Sequence, residues 1–391
     1  MDIICVAFPS FEGDYVKSTV ELMRQMANKH RVLYVDYAFT WKDLIFGILG
    51  KKKGVPVRQL LRLAPGITTH PTENGRSIFV MTPPPMLPVN FFKNQSLYTL
   101  FSNWNGWVMK RAIHRSMSQL NINNPFVINA FNPFFGKQLV GKLNEKKRVY
   151  YCYDEISACA WAKTHGARLE NEFIPQNDAL IVSSKGLYES KKDAAKACYL
   201  VQNGVDTLFF STPTSNSGSV KRMGYIGSID SRLDYELLLQ LAIQNPEKEL
   251  VMVGRVVEDK PLVSMGVKKL KQLPNVRFEG PQSPQKLVNY LADFSIGLIP
   301  FVKNEQTAAI YPMKINEYLA AGIPVVSTDF SPLAEFNSVV AFGKNIPDFC
   351  ALVTEQIMAD SVEKRAKRVE FASQNTWKTR ANELETILLN L

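Results

Sequence analysis

No CxxC pair occurs among the five cysteines of this 391-residue chain (Cys5, Cys152, Cys159, Cys198, Cys350), and their number is odd. That pattern argues against a disulfide framework and against a zinc site, and it implies a reducing compartment. The four histidines (His30, His70, His114, His165) show no ligand spacing and no DxD is present, so no metal is expected. Neither GxGxxG nor GxxxxGK[ST] occurs, which disfavours dinucleotide and P-loop readings. Long apolar runs are lacking as well. The uncharged stretches 77–92 and 94–109 have sixteen residues each, fewer than the roughly 20 that a membrane span needs, and the first is broken by Pro83, Pro84, Pro85 and Pro88. No basic n-region precedes the opening run Ile3 to Phe8, so no signal peptide is expected.

What is present describes a globular protein: 46% hydrophobic and 21% charged residues over a length that favours two domains. The net charge of +10 is unevenly placed. Residues 1–150 carry 20 Lys/Arg and 8 Asp/Glu, residues 151–391 carry 26 and 28, so the two parts sum to +12 and −2. A localised basic field of this kind suits an anionic partner.

Apolar runs at Ile3 to Phe8, Arg31 to Asp36, 126–131, 148–153 and 178–183 read as buried strands separated by helical segments, the first of these at 16–29. A parallel sheet follows. The polar segment 211–221 has no periodicity and reads as a linker. Alternation then resumes, with strands at 223–229, 249–253, 276–280, 294–300, 324–328 and 339–342 and helices at 233–244, 262–272, 284–293, 313–321 and 346–359. The expected organisation is an N-terminal domain over 1–210, the linker, a C-terminal doubly wound domain over 222–375, and a terminal helix at 376–391 that packs back on the first domain.

The densest chemical signal runs from Tyr311 to Thr328. Pro312 starts a short helix, Gly322 stops it, and Pro324 opens the next strand. Lys314 and Glu317 share one face near the helix start. The helix end offers N–H donors and a positive dipole, Lys314 a charge for a diphosphate, and Glu317 an acceptor for two vicinal ribose hydroxyls. Gly227 and Ser228, in the loop after the first strand of this domain, let backbone approach a phosphate. Arg255 can neutralise the leaving diphosphate. Asp154 and Glu155 follow a strand at its carboxyl end, and since successive side chains alternate in direction, one of the two faces the substrate as a base.

These residues resemble a GT-B glycosyltransferase of the family 4 kind. The resemblance rests on Asn203-Gly204-Val205-Asp206, Tyr225-Ile226-Gly227-Ser228, Val253-Gly254-Arg255 and Pro312-x-Lys314-x-x-Glu317-Tyr318-Leu319-Ala320-x-Gly322-x-Pro324. It is good over 220–330 and moderate over 148–210, while 40–125 matches nothing identified. The resemblance implies two Rossmann-like doubly wound domains facing a central cleft, Glu317 on the ribose, and Pro281 beside the nucleobase. Ala309 stands where many members carry a glutamate that meets the donor sugar. The cluster Tyr311-x-Met313-Lys314 is also similar to the inverting xanthan-type glucuronosyltransferases, which implies Lys314 on the diphosphate and Asp154 as base.

Residues 41–62 and 91–115 mix bases with large apolar groups, as in monotopic membrane attachment. No nucleic-acid motif is found. The expectation is a metal-independent transferase on the cytoplasmic membrane face. It needs no cofactor and takes a UDP-sugar as donor substrate and a glycan or lipid-linked acceptor. The alternatives are a sugar-nucleotide 2-epimerase and a non-catalytic basic adaptor.

Overall fold

A computed structural model describes residues 1–13, 17–211 and 221–391. The expected linker lies, apart from its two end residues, outside the described residues, as does Val16 at the start of the first expected helix. The chain divides into two compact units, one made of Met1–Gln202 with Arg380–Leu391 and the other of Asn203–Thr379.

In the first unit eight strands form one sheet: β1 Asp2–Ala7, β2 Arg31–Val35, β3 Ile67–Pro71, β4 Ser77–Met81, β5 Phe126–Ala130, β6 Lys147–Cys152, β7 Ala179–Val182 and β8 Cys198–Leu200. Their order is β3-β4-β2-β1-β5-β6-β7-β8. All neighbours are parallel except β3 and β4. That pair is a hairpin, because the connection from Thr72 to Arg76 is far too short for a crossover and turns at Gly75 with φ 72°.

Alternation along β1 sends Ile3, Cys5 and Ala7 to one face and Ile4 and Val6 to the other. The first face is covered by helix Ser18–Ala27 and by Ala381, Leu384 and Leu388 of the terminal helix Trp377–Asn390. Lys29 and His30 reach Glu385 of that helix at 2.6 and 2.9 Å. The second face is covered by Met109, Ile113 and Met117 of helix Gln95–Leu120. This 26-residue helix and the hairpin fill the stretch that matched no pattern in the sequence.

The second unit holds six parallel strands: β9 Arg222–Ile226, β10 Glu249–Val253, β11 Val276–Gly280, β12 Ile296–Ile299, β13 Val325–Thr328 and β14 Ala341–Gly343. They are ordered β11-β10-β9-β12-β13-β14. Glycines in the strands make room for aromatic rings from the helical layer. A Cβ on Gly224 would lie 2.0 Å from the Phe294 ring, and one on Gly297 would lie 2.5 Å from Tyr318.

The chain enters this unit through Asn203-Gly204-Val205-Asp206, and each residue has a task. Asn203 Nδ2 donates to the Tyr311 carbonyl, Gly204 lies against the backbone of Trp377, Val205 N–H donates to Asn375 O, and Asp206 caps helix Thr207–Phe210. Among the described residues no helix is long and apolar enough to cross a membrane.

Candidate functional site

In both sheets the strand order reverses about the first strand, between β1 and β5 and between β9 and β12. Crevices at the carboxyl ends of such reversals are where open α/β sheets receive ligands. In the second unit the loop after β9 carries Gly227 and Ser228, and helix Met313–Ala320 follows β12.

That helix is fixed to the sheet by Tyr318, whose buried hydroxyl accepts the N–H of Ile226 at 2.9 Å. Pro312 is its N-cap, no side chain caps its first turn, and Gly322 with φ 75° ends it. Arg368 donates twice to the Gly322 carbonyl, at 3.0 and 2.8 Å. A cation is thereby placed at the negative end of the helix dipole.

Lys314 extends from the first turn across Gly227. A Cβ at Gly227, where φ is 143°, would lie 2.1 Å from Lys314 Cε, and one at Gly254, where φ is 149°, would lie 1.9 Å from the Gly227 carbonyl oxygen. Only glycine serves at either place. Lys314 Nζ sits 5.9 Å from the centre of the Tyr225 ring, and the Tyr225 hydroxyl donates to the Ser228 carbonyl at 2.9 Å.

Burial, and next the Arg232 guanidinium, push the Lys314 ammonium down to about 8, against the opposing pull of Glu317 and Asp230. Burial raises the Glu317 carboxyl, with Lys314 opposing. Although the two are three apart on one helix, no ion pair joins them among the described residues, so each keeps its polar end for another partner. Arg232 grips Asp230 through two hydrogen bonds, at 2.8 and 2.5 Å. Its place in the loop after β9 is the sequence signal for this second cation.

Arg255 follows β10 and is exposed, and Pro281 is exposed just after β11. Tyr311 is turned into the core. Its hydroxyl accepts from Asn316 at 2.9 Å, its ring packs on Phe336, and its role in the structure is to hold the entry to the helix. Met313 is half-buried in the first turn and Ala309 is buried.

Asp154 and Glu155 belong to the first unit, just past β6. Glu155 caps the short turn Ile156–Ala158 through Ser157 N and Oγ and pairs with Lys191 at 3.0 Å. Lys191 is buried and also pairs with buried Glu170 at 2.7 Å, to which Tyr150 donates at 2.6 Å. Burial raises the Glu155 carboxyl, but Lys191 and Ser157 outweigh it and hold the group below its ordinary value. Asp154 Oδ1 accepts the Glu155 N–H at 2.8 Å, and its carbonyl accepts from Cys152 Sγ at 3.3 Å. No group of three or more His, Cys, Asp or Glu that could hold a metal ion is found among the described residues.

Residues 221–364 match a family model described as "Glycosyl transferases group 1". The chain is 27% identical over 215 residues to the putative teichuronic acid biosynthesis glycosyltransferase TuaH of Bacillus subtilis (strain 168), a match that covers 51% of this chain and 53% of that protein. The chain thus aligns with about half the length of that curated relative. Solved structures align over essentially the full length. Sucrose-phosphate synthase from Thermosynechococcus elongatus gives a TM-score of 0.72 at 14% identity, covering 100% of this chain and 98% of that one. HepE from Anabaena in complex with UDP gives 0.63 at 13% identity, covering 100% of each. At such identities the likeness shows the fold, and the fold is GT-B.

Proposed function

We propose that the protein is a glycosyltransferase that moves a sugar from a UDP-sugar to a hydroxyl of a lipid-linked or polysaccharide acceptor in cell-surface glycan synthesis. The observation that carries this reading is Lys314, held over Gly227 at the strand reversal with no ion-pair partner among the described residues, inside the stretch that matches glycosyl transferases group 1. A desolvated ammonium held in no ion pair among the described residues is costly, and a diphosphate offsets that cost. The likeness to TuaH and the UDP complex of HepE favour the same class of donor and product.

In this reading the uncapped first turn of helix Met313–Ala320 and Lys314 hold the diphosphate, with the backbone of Gly227 and Ser228 and the Arg255 side chain around it. Glu317 accepts from the ribose hydroxyls, and Pro281 lies beside the nucleobase. The donor is the substrate, and neither cofactor nor metal takes part. Asp154 removes the proton from the acceptor hydroxyl as its oxygen attacks the anomeric carbon. The bond from that carbon to the diphosphate breaks, and UDP leaves with the electron pair. Lys314 and the helix dipole carry the charge that develops on the leaving group.

The first unit attaches to the cytoplasmic membrane face. Leu97, Leu100, Trp104 and Trp107 are exposed along one side of helix Gln95–Leu120, and Arg111 and Arg115 continue that side. The Arg111 guanidinium lies 4.9 Å from the centre of the Trp107 ring. Aromatic groups followed by arginines along one stripe suit an anionic bilayer surface.

Calorimetry with UDP tests the site. Lys314→Ala and Glu317→Ala are each expected to weaken binding by at least about tenfold while circular dichroism stays unchanged. Wild-type affinity in both folded variants would refute the assignment.

A further inference from the structure

The excess of base in the first unit gathers around one cavity. Residues 44–144 carry 12 Lys and Arg against a single acid, Glu73. Within that stretch Arg62 and Arg115 both line a cavity of about 410 Å³, inside the roughly 300–1,000 Å³ typical of small-molecule sites. Its walls come from the edge hairpin of β3 and β4 and from one side of helix Gln95–Leu120, where Ala112, Arg115, Ser116 and Gln119 follow helical spacing. In the sheet, β2 and β1 stand between β4 and the strand reversal, so this cavity belongs to the sheet edge and not to the crevice at the reversal.

Arg62 is placed there at a conformational cost. The turn after helix Val57–Leu60 closes through two backbone bonds, Arg62 N–H to the Gln59 carbonyl at 3.0 Å and Leu63 N–H to the Arg58 carbonyl at 2.8 Å, a pairing that sets Arg62 in the left-handed region with φ 60°. Glycine is the usual residue at such a position, because a side chain is strained there. Gly66, itself in the cavity wall, then lies beneath the guanidinium, and a Cβ on Gly66 would run into Arg62 Nη1.

The lining is one-sided in charge. It holds no carboxylate, and the side chains of Arg62, Arg115, Thr82 and Gln119 enter no hydrogen bond or ion pair among the described residues. Ser116 is committed, its hydroxyl donating to the Ala112 carbonyl at 3.2 Å. Two guanidinium groups without a counter-charge repel each other across a shared cavity, and an anion that accepts from both removes that repulsion. A phosphate monoester brings three acceptor oxygens and nearly two charges at neutral pH. It answers two arginines better than the single charge of a carboxylate does.

Both arginines adjoin outward apolar groups. Arg115 follows Leu100, Trp104, Trp107 and Arg111 at intervals of three or four along the exposed side of its helix, and so stands both on that row and in the cavity wall. Arg62 sits between Leu61 and Leu63, which are 42% and 67% exposed.

We propose that this cavity binds one phosphate group, held between Arg62 and Arg115 with Thr82 and Gln119 as further donors. A lipid head group and a free phosphate metabolite share that chemistry, and the apolar neighbours of both arginines favour the head group. The phosphate site stands without the transferase reading, and only its lipid source rests on the attachment of this unit to a bilayer.

Calorimetry with glycerol phosphate, in a phosphate-free buffer with saturating UDP present, reads the site with the donor position filled. Arg62→Gly removes the guanidinium and supplies the residue that the left-handed turn prefers, so the melting temperature should hold or rise while affinity falls about 10- to 150-fold, the value of one charge-assisted hydrogen bond. Arg115→Gln, on the exposed side of its helix, should weaken binding by a similar factor. No binding in the wild type, binding that UDP abolishes, or wild-type affinity in both folded variants would overturn the proposal. Co-sedimentation with phosphatidylcholine vesicles carrying phosphatidic acid, against vesicles carrying phosphatidylserine at equal surface charge, separates the two sources. A preference for phosphatidic acid that Arg62→Gly removes identifies the head group, and glycerol phosphate binding without that preference keeps the site and identifies the free metabolite. A protein that binds UDP but not glycerol phosphate loses this site alone. One that binds glycerol phosphate but not UDP keeps the site and loses the transferase reading.

Discussion

If Lys314 meets the nucleotide diphosphate, as proposed, binding takes up a proton. With its ammonium pushed down to about 8 by burial and by Arg232, Lys314 without nucleotide is about nine-tenths charged at pH 7, half charged at pH 8 and about one-tenth charged at pH 9. A diphosphate beside it stabilises the charged form and raises its pKa, because an opposite charge favours ionisation. The sign follows directly: affinity for UDP is greatest below pH 8 and falls as the pH rises through it. If only the charged form binds, affinity drops about tenfold between pH 7 and pH 9, and about half a proton is taken up per UDP at pH 8. The terminal phosphate of the ligand titrates near 6 and is silent in this range. Calorimetry at pH 8 in two phosphate-free buffers of different ionisation enthalpy reads the uptake as a slope of about 0.5. Lys314→Met should bring that slope to zero and weaken binding by roughly 10- to 150-fold, the value of one charge-assisted hydrogen bond. A flat affinity from pH 7 to 9 with no buffer dependence in the wild type, or the same slope in the variant, would refute the reasoning.

Gly227→Ala places a Cβ where Lys314 Cε now lies and should cost UDP binding about as much as removing the lysine, measured in the same titration with circular dichroism as control. Asp154→Asn should lose sugar transfer while UDP affinity stays at the wild-type value, and retained turnover would remove Asp154 from the role of base. Lys191→Met leaves Glu170 and Glu155 without their shared cation and should lower unfolding free energy by about 3–5 kcal/mol in urea titrations; a loss under 1 kcal/mol would mean the triad is not a structural tie. Leu100→Asp with Trp104→Asp should reduce co-sedimentation with anionic vesicles, and unchanged sedimentation would place the membrane surface elsewhere.

The strands of both units are legible in the sequence because strands buried on two faces read as plain apolar runs, Ile3 to Ala7 and Leu250 to Val253 among them. The site helix is legible through its punctuation, since Pro312 and Gly322 act locally. Helix Gln95–Leu120 escapes for the opposite reason. It is apolar on two sides, with Leu97, Leu100, Trp104 and Trp107 outward and Met109, Ile113 and Met117 inward, and its buried side also holds Ser102, Asn105 and Ser116, so no single stripe stands out. Helix Val362–Gln374 is hidden as well. It buries only Arg368 and Ala372, and the value of Arg368 lies in a carbonyl 46 positions away. The tie from Glu155 to Lys191, a residue of a different helix, is hidden for the same reason. Spacing cannot show a tertiary ion pair.

The return of residues Arg380–Leu391 to the first unit makes that unit discontinuous along the chain. Its β1 face is closed by Ala381, Leu384 and Leu388, and the two leucines alone are worth about 3–6 kcal/mol of burial, a large share of a domain's usual 5–15 kcal/mol. During synthesis the second unit has all of its residues before the first does, and His30 waits 355 positions for Glu385. Until then the part of that face not covered by helix Ser18–Ala27 stays open as an apolar groove, the kind of surface that chaperones hold. A nascent chain arrested anywhere in residues 203–379 should therefore present the first-made unit as the aggregation-prone part, although it has been out of the ribosome longest.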